Sequence, residues 1–193
     1  MRKLTCLWVW LALAGLWVAP AAAQGDPLAL LDQARGSLQV GQKLEALGLL
    51  DQAGRALWNQ LGLGVANAVL TREEAQGFGM YNPREGNLYS NQEPILVYLE
   101  PRGYRVTTPQ PGLFAFGVRV DVSLLATNGE VLWGKENALV KNILSRRFNR
   151  EFYITLTLNF KGAPAGDYVV LLTLHDQQSP TPVQVRLPIR FKS

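Results

Sequence analysis

Apolar positions follow three different rules along this chain. From Leu4 to Ala19 they form an almost unbroken run that includes Trp8, Trp10 and Trp17. From Leu28 to Leu61 they return every three or four residues, as Leu28, Leu31 and Ala34, then Leu44, Leu47, Leu50, Ala53, Leu57 and Leu61. Further on they alternate, with Phe114, Phe116, Val118, Val120 and Val122 set against Ala115, Gly117, Arg119, Asp121 and Ser123. A continuous run suits a targeting segment, a period near 3.6 suits a helix face, and alternation suits a strand with one buried side.

The second rule predicts two helices, about 27–36 and 39–61. Asp26 can cap the first, and Pro27 fits its first helical position. β-branched residues are almost missing here, which favours helix over strand. Gly36, Gly41, Gly48 and Gly54 oppose it, each costing about 1 kcal/mol against Ala inside a helix, so a break is expected near Gly36–Gly41. Leu30-Leu31-Asp32-Gln33-Ala34 returns as Leu49-Leu50-Asp51-Gln52-Ala53. Two copies are too few for a solenoid, and similar composition accounts for the echo. A third short helix is expected over Val65–Ala75. Gly77-Phe78-Gly79-Met80-Tyr81-Asn82-Pro83 reads as a hinge, because two glycines and a proline stop a helix.

The third rule predicts strands over 94–101, 113–125, 131–133, 152–160, 168–174 and 183–191, with weaker ones near 104–107 and 138–143. Asn128-Gly129, between two apolar stretches, is a strong hairpin signal. The expected fold class is α+β: N-terminal short helices followed by an antiparallel Ig-like β-sandwich of about seven strands. No Cys…Trp…Cys pattern is present, so the immunoglobulin likeness is one of architecture alone. The expected organisation is a signal peptide over 1–23, a helical region over 24–76 and the sandwich over 77–193.

Charge and cysteine usage sharpen this picture. Arg2 and Lys3 precede the apolar run, and Pro20 and Ala21-Ala22-Ala23 follow it. That order is the pattern of a secretory signal peptide cut after Ala23. Removing 23 of the 193 residues leaves a mature chain of 170. The expected location is the periplasm or the exterior, with no stable membrane span after cleavage. Cys6, the one cysteine, lies inside the leader. The mature chain then has no disulfide, thiolate nucleophile or cysteine-ligated metal. It carries 17 basic and 15 acidic residues, a weak imbalance that, with the compartment, argues against nucleic acid.

Motifs for turnover are missing. There is no Gly-x-Ser-x-Gly, His-Glu-x-x-His, phosphate loop or dinucleotide fingerprint. His175 is the only histidine, and next to Asp176 it reads as an ordinary strand-end residue. Glu93, Glu100 and Asp121 could supply carboxylates, but nothing in the sequence brackets them into a pair. The expectation is a non-catalytic protein with no cofactor and no metal.

The strongest candidate surface is Lys135–Glu151. Arg146, Arg147 and Arg150 gather there with Lys141, and Phe148 and Phe152 are interleaved. Arginine forks bind carboxylate or phosphate through two parallel hydrogen bonds. A protein face or an anionic envelope component is the expected partner. A solvated loop leading into a strand would have the same composition. Tyr81 and Arg84 complete the candidate binding residues. Tyr81, Tyr89, Tyr98, Tyr104 and Trp133 could alternatively line a carbohydrate- or envelope-polymer-binding face, although aromatics in strands are more often core.

Three stretches carry a likeness: Gly79-Met80-Tyr81-Asn82-Pro83-Arg84, Glu93-Pro94-Ile95-Leu96-Val97-Tyr98-Leu99-Glu100-Pro101, and Ser145-Arg146-Arg147-Phe148-Asn149-Arg150-Glu151-Phe152. Over residues 77–191 the chain resembles uncharacterised exported bacterial proteins with a helical N-terminal region and a C-terminal Ig-like β-sandwich. The resemblance implies an exported module that binds or supports assembly by protein–protein contact, without catalysis. The stretch from Asp167 to Asp176 is similar to the penultimate strand and turn of many bacterial Ig-like domains.

Overall fold

A computed structural model describes residues 25–192; the expected leader lies outside the described residues. Helix α1 spans Pro27–Gln39 and helix α2 spans Lys43–Gln60. Asp26 caps α1 by accepting the Leu28 N–H at 3.1 Å. The break falls at Val40–Gln42, slightly later than the glycines suggested. With so short a connection the two helices pack as an antiparallel hairpin. What they bury is small: Ala34, Ala46, Ala53 and Ala56, with Trp58 the only large side chain.

Nine strands follow: β1 Gly64–Thr71, β2 Leu88–Tyr89, β3 Ile95–Arg102, β4 Thr107–Gln110, β5 Leu113–Ala126, β6 Val131–Ser145, β7 Ile154–Leu158, β8 Gly166–Asp176 and β9 Val183–Phe191. One sheet has the order β1-β3-β7; the other runs β2-β9-β8-β5-β4, with β6 also paired to β5. All pairings are antiparallel except the short β2–β9 contact, which is parallel. The chain is therefore α+β, two helices followed by a sandwich of two sheets. The inner faces share one core. Ile95, Val97, Leu99, Ile154 and Leu156 from the small sheet meet Val118, Val120, Val122, Val170, Leu172, Leu174 and Ile189 from the large one. The alternation seen in the sequence is the pleat that puts every second residue in this core.

Three expectations are corrected. Val65–Ala75 is not a helix: residues 64–71 form β1, which pairs antiparallel with β3 from Gly64↔Arg102 to Thr71↔Leu96. The helical region thus ends at Gln60 rather than near 76. Val65, Val69 and Thr71 are β-branched, and partnership with β3 decides the segment. The Gly77–Pro83 stretch, read as a hinge, folds back on the small sheet. The Arg72 N–H donates to the Asn82 carbonyl at 3.0 Å and the Arg84 N–H to the Leu70 carbonyl at 2.8 Å. Finally, 131–133 and 138–143 are not separate strands but parts of one long β6. It carries a register shift opposite Val120–Val122, with Asn137 at φ 52°. The predicted Asn128-Gly129 turn is in place, and Gly129 takes φ 90°, a left-handed conformation that favours glycine.

Candidate functional site

The cationic segment lies at the end of β6 and in the turn that leads to β7. Side chains fold this turn locally: Ser145 Oγ accepts the Arg147 N–H at 3.1 Å, and Asn149 Oδ1 accepts the Glu151 N–H at 3.0 Å. Two longer contacts tie it down. The Tyr104 hydroxyl donates to the Asn149 carbonyl at 2.8 Å, and Arg102 Nη1 donates to the Arg150 carbonyl at 3.1 Å. Phe148 turns inward, edge-on to Trp58 with ring centroids 6.4 Å apart and to Phe114 at 5.8 Å.

This arrangement sorts the arginines. Arg146 and Arg147 point to solvent, and neither makes an ion pair among the described residues. Arg150 does not join them. Its Nη2 meets Asp51 Oδ1 on α2 at 3.1 Å, and its guanidinium lies so close to Gly54 that a Cβ there would collide with it. One helix glycine that looked unfavourable in the sequence is therefore the seat of a cross-element contact. Lys141 is exposed on β6 opposite Val118. About 13 Å of extended strand separates it from Ser145, so it adds to the field around Arg146 and Arg147 rather than to a single cluster.

Tyr81 and Arg84 sit elsewhere. Tyr81 stacks on Tyr98 at 4.2 Å and accepts a hydrogen bond from Asn67 at 2.6 Å. Tyr98 stacks in turn on Tyr153 at 5.7 Å. It accepts the Gly79 N–H at 2.8 Å and donates to Glu100 at 2.9 Å. Burial pushes the Tyr98 phenol up to about 12. Arg84 pairs with Glu93 at 2.6 Å, donates to the Leu88 carbonyl at 2.8 Å and lies over the Tyr89 ring at 4.1 Å. Tyr81 clasps the Gly77–Pro83 turn to β1 and β3, whereas Arg84 braces the 84–93 loop from within. Tyr89, Tyr98 and Tyr104 are buried, and Trp133 sits edge-on to Phe160 at 5.4 Å. These three tyrosines take the core role, whereas Tyr81 is half-buried and Trp133 is exposed.

A polar cluster escaped the sequence reading. His175 Nε2 lies 2.7 Å from Asp121 Oδ2, so its partner is across the sheet and not its neighbour Asp176. Asp121 also accepts the Asn137 N–H at 2.7 Å, at the irregular point of β6. Burial opposes the charge on Asp121. The Asn137 and His175 hydrogen bonds, with Arg119 nearby, outweigh that cost and hold the carboxyl below its ordinary value. Asp176 is buried and accepts the Arg105 N–H at 2.7 Å and the Gln178 N–H at 2.9 Å. These acids brace strand irregularities and turns. The only signal for the His175–Asp121 pair was that both residues lie on the polar side of alternating strands. No group of three or more His, Cys, Asp or Glu residues is gathered among the described residues.

No protein-family model matches the chain, and no curated protein matches it. No helix among the described residues is long and apolar enough to cross a membrane.

Proposed function

We propose that this protein is exported, loses its leader after Ala23, and acts in the periplasm or outside the cell as a non-catalytic binding or assembly-support protein. Its sandwich is Ig-like in architecture, and it works by protein–protein contact. The supporting observation is two adjacent exposed arginines on a tied-down turn. Arg72, Arg84, Arg102, Arg119, Arg150 and Arg190 are in ion pairs. Arg35, Arg55, Arg105 and Arg186 are exposed without one but stand singly, whereas Arg146 and Arg147 are neighbours and neither is paired among the described residues. A turn whose shape is held by its neighbours can offer two guanidinium forks at little ordering cost. The partner face is acidic. The alternative, a carbohydrate-binding module, needs exposed coplanar aromatics, and Tyr89, Tyr98 and Tyr104 are instead interior.

The test is a pull-down from periplasmic extract with the mature protein and with its Arg146→Ser/Arg147→Ser double variant. Arg150 is left intact, because it holds α2. The wild type should retain a partner that raised salt releases, since screening over about 8–10 Å weakens surface charge contacts. The double variant should lose the partner with thermal unfolding unchanged. Equal retention by both proteins, or a marked fall in melting temperature, overturns the assignment.

A further inference from the structure

The helical hairpin exposes what the sandwich would bury. Leu28, Leu31 and Leu38 on α1, Leu47, Leu50 and Leu57 on α2, and Leu61 at the α2 C-cap are between 43% and 70% exposed. They follow a three-and-four spacing in which Arg35 and Gly54 hold the intervening positions: 28, 31, 35, 38 on one helix and 47, 50, 54, 57, 61 along the other and its cap. Each set is one stripe along its helix.

Both stripes lie on the same side of the hairpin. At about 100° per residue, the α1 leucines fall roughly 40–120° around the helix from Ala34. The α2 leucines fall roughly 30–110° from the mean direction of Ala46 and Ala53, in the same rotational sense. Those alanines are buried and mark where the two helices meet. Antiparallel helices turned in the same sense present their stripes to one common face. Gly54, Trp58 and Asp51 fall roughly 90–150° from that same mean direction, so the sandwich contacts made by Trp58 and Arg150 flank the α2 stripe on its side away from α1, and Arg150, reaching over Gly54, covers the outer edge of the face.

We infer that this leucine face is the contact surface of a homodimer, the same face of a second copy being its occupant. Two observations select that occupant. The first is charge. The helices carry Asp32, Glu45 and Asp51 against Arg35, Lys43 and Arg55, so the hairpin is neutral overall. A helix that lies on anionic lipid carries a basic polar face, and an acidic or basic partner would need a complementary excess; a second copy needs neither. The second is area. At about 100 Å² of apolar surface per fully exposed leucine, seven leucines roughly half exposed offer on the order of 400 Å². A standard interface takes about 800 Å² from each partner, a little over half of it apolar. A two-fold axis through the face would match apolar stripe to apolar stripe, with Val40 and Leu44 at the rim.

Sedimentation equilibrium of the mature chain starting at Gln24 tests this. The wild type should be a dimer at micromolar concentration. Leu50→Glu/Leu57→Glu should weaken association by more than about a hundredfold, with helical circular dichroism retained. Should that variant lose helix signal, Leu28→Glu/Leu38→Glu on the other helix should give the same loss of dimer. The control Gln52→Glu lies on the opposite side of α2 and should leave the dimer intact. A monomeric wild type overturns the inference. So does a dimer that survives both leucine variants, or one that Gln52→Glu disrupts equally. A monomer that floats with phosphatidylglycerol vesicles, or that associates only when the apolar leader is retained, also overturns it by giving the face another occupant.

Discussion

The helical hairpin and the sandwich use apolar residues in opposite ways. In the sandwich, Val118, Val120, Val122, Leu172 and Leu174 are wholly buried between sheets. In the hairpin the fully buried positions are alanines, while leucines such as Leu44 at 84% exposure stand in solvent. Burying an alanine removes far less apolar surface than burying a leucine, at about 25 cal/mol per Å². The hairpin therefore gains little from its own packing and borrows its stability through α2. Trp58 is the graft: its Nε1 donates to the Tyr104 carbonyl at 2.9 Å, and its ring meets Tyr104 edge-on at 5.0 Å. Arg55 adds a guanidinium 5.5 Å from the Phe148 ring centroid. A helical period thus reports a face, and the size of the residues facing inward reports which region carries the fold.

The largest expected effect breaks the comparison at its seam. A chain beginning at Gly77 lacks both Trp58 and β1, an entire edge of the small sheet. It should show no cooperative unfolding transition, whereas a chain beginning at Lys43, which lacks only α1, should keep one. Thermal circular dichroism of the two fragments decides. A cooperative Gly77 fragment with a near-native melting temperature would mean that the sandwich closes without β1.

Trp58→Ala comes next. Truncating a buried tryptophan costs about 3–5 kcal/mol, and chemical denaturation should show a loss in that range. A loss under about 1 kcal/mol would mean that the hairpin is not joined to the core.

A smaller effect separates the two regions by pH. Asp121 in the sandwich is held below its ordinary value, so the folded state favours its charged form. That contribution is complete above the unfolded carboxylate value of about 3.9 and is lost as pH falls through the lower folded value. Asp121→Asn should therefore be less stable than wild type at neutral pH, with the gap narrowing as pH falls below the ordinary carboxylate value. A gap that stays constant as pH falls through and below that value would mean that the carboxylate charge is irrelevant. The smallest effect is Leu44→Ala, which should change stability by no more than about 0.5 kcal/mol. A larger loss in the monomer would show that the hairpin has a core of its own.

Local pattern was enough for most of the elements. The two helices, the long alternating strand β5, the Asn128-Gly129 turn and the final strand β9 were legible because each is written in spacing or turn chemistry over a few residues. Strand β1 was not, because Val65–Ala75 is apolar enough for either state and its partner β3 begins some two dozen residues later. The candidate site divides the same way. That Arg146 and Arg147 belong to an exposed basic turn could be read from composition. That Arg150 turns away to Asp51, that Tyr81 clasps its turn to β1 and β3, and that His175 pairs with Asp121 could not, since each depends on a residue well separated in sequence. The sequence by itself determined which stretches are helical, which alternate and where the chain turns, since these follow from neighbours along the backbone. Only the tertiary structure decided which arginines remain free and which leucines remain uncovered, because charge pairing and burial are set by whatever the fold brings alongside.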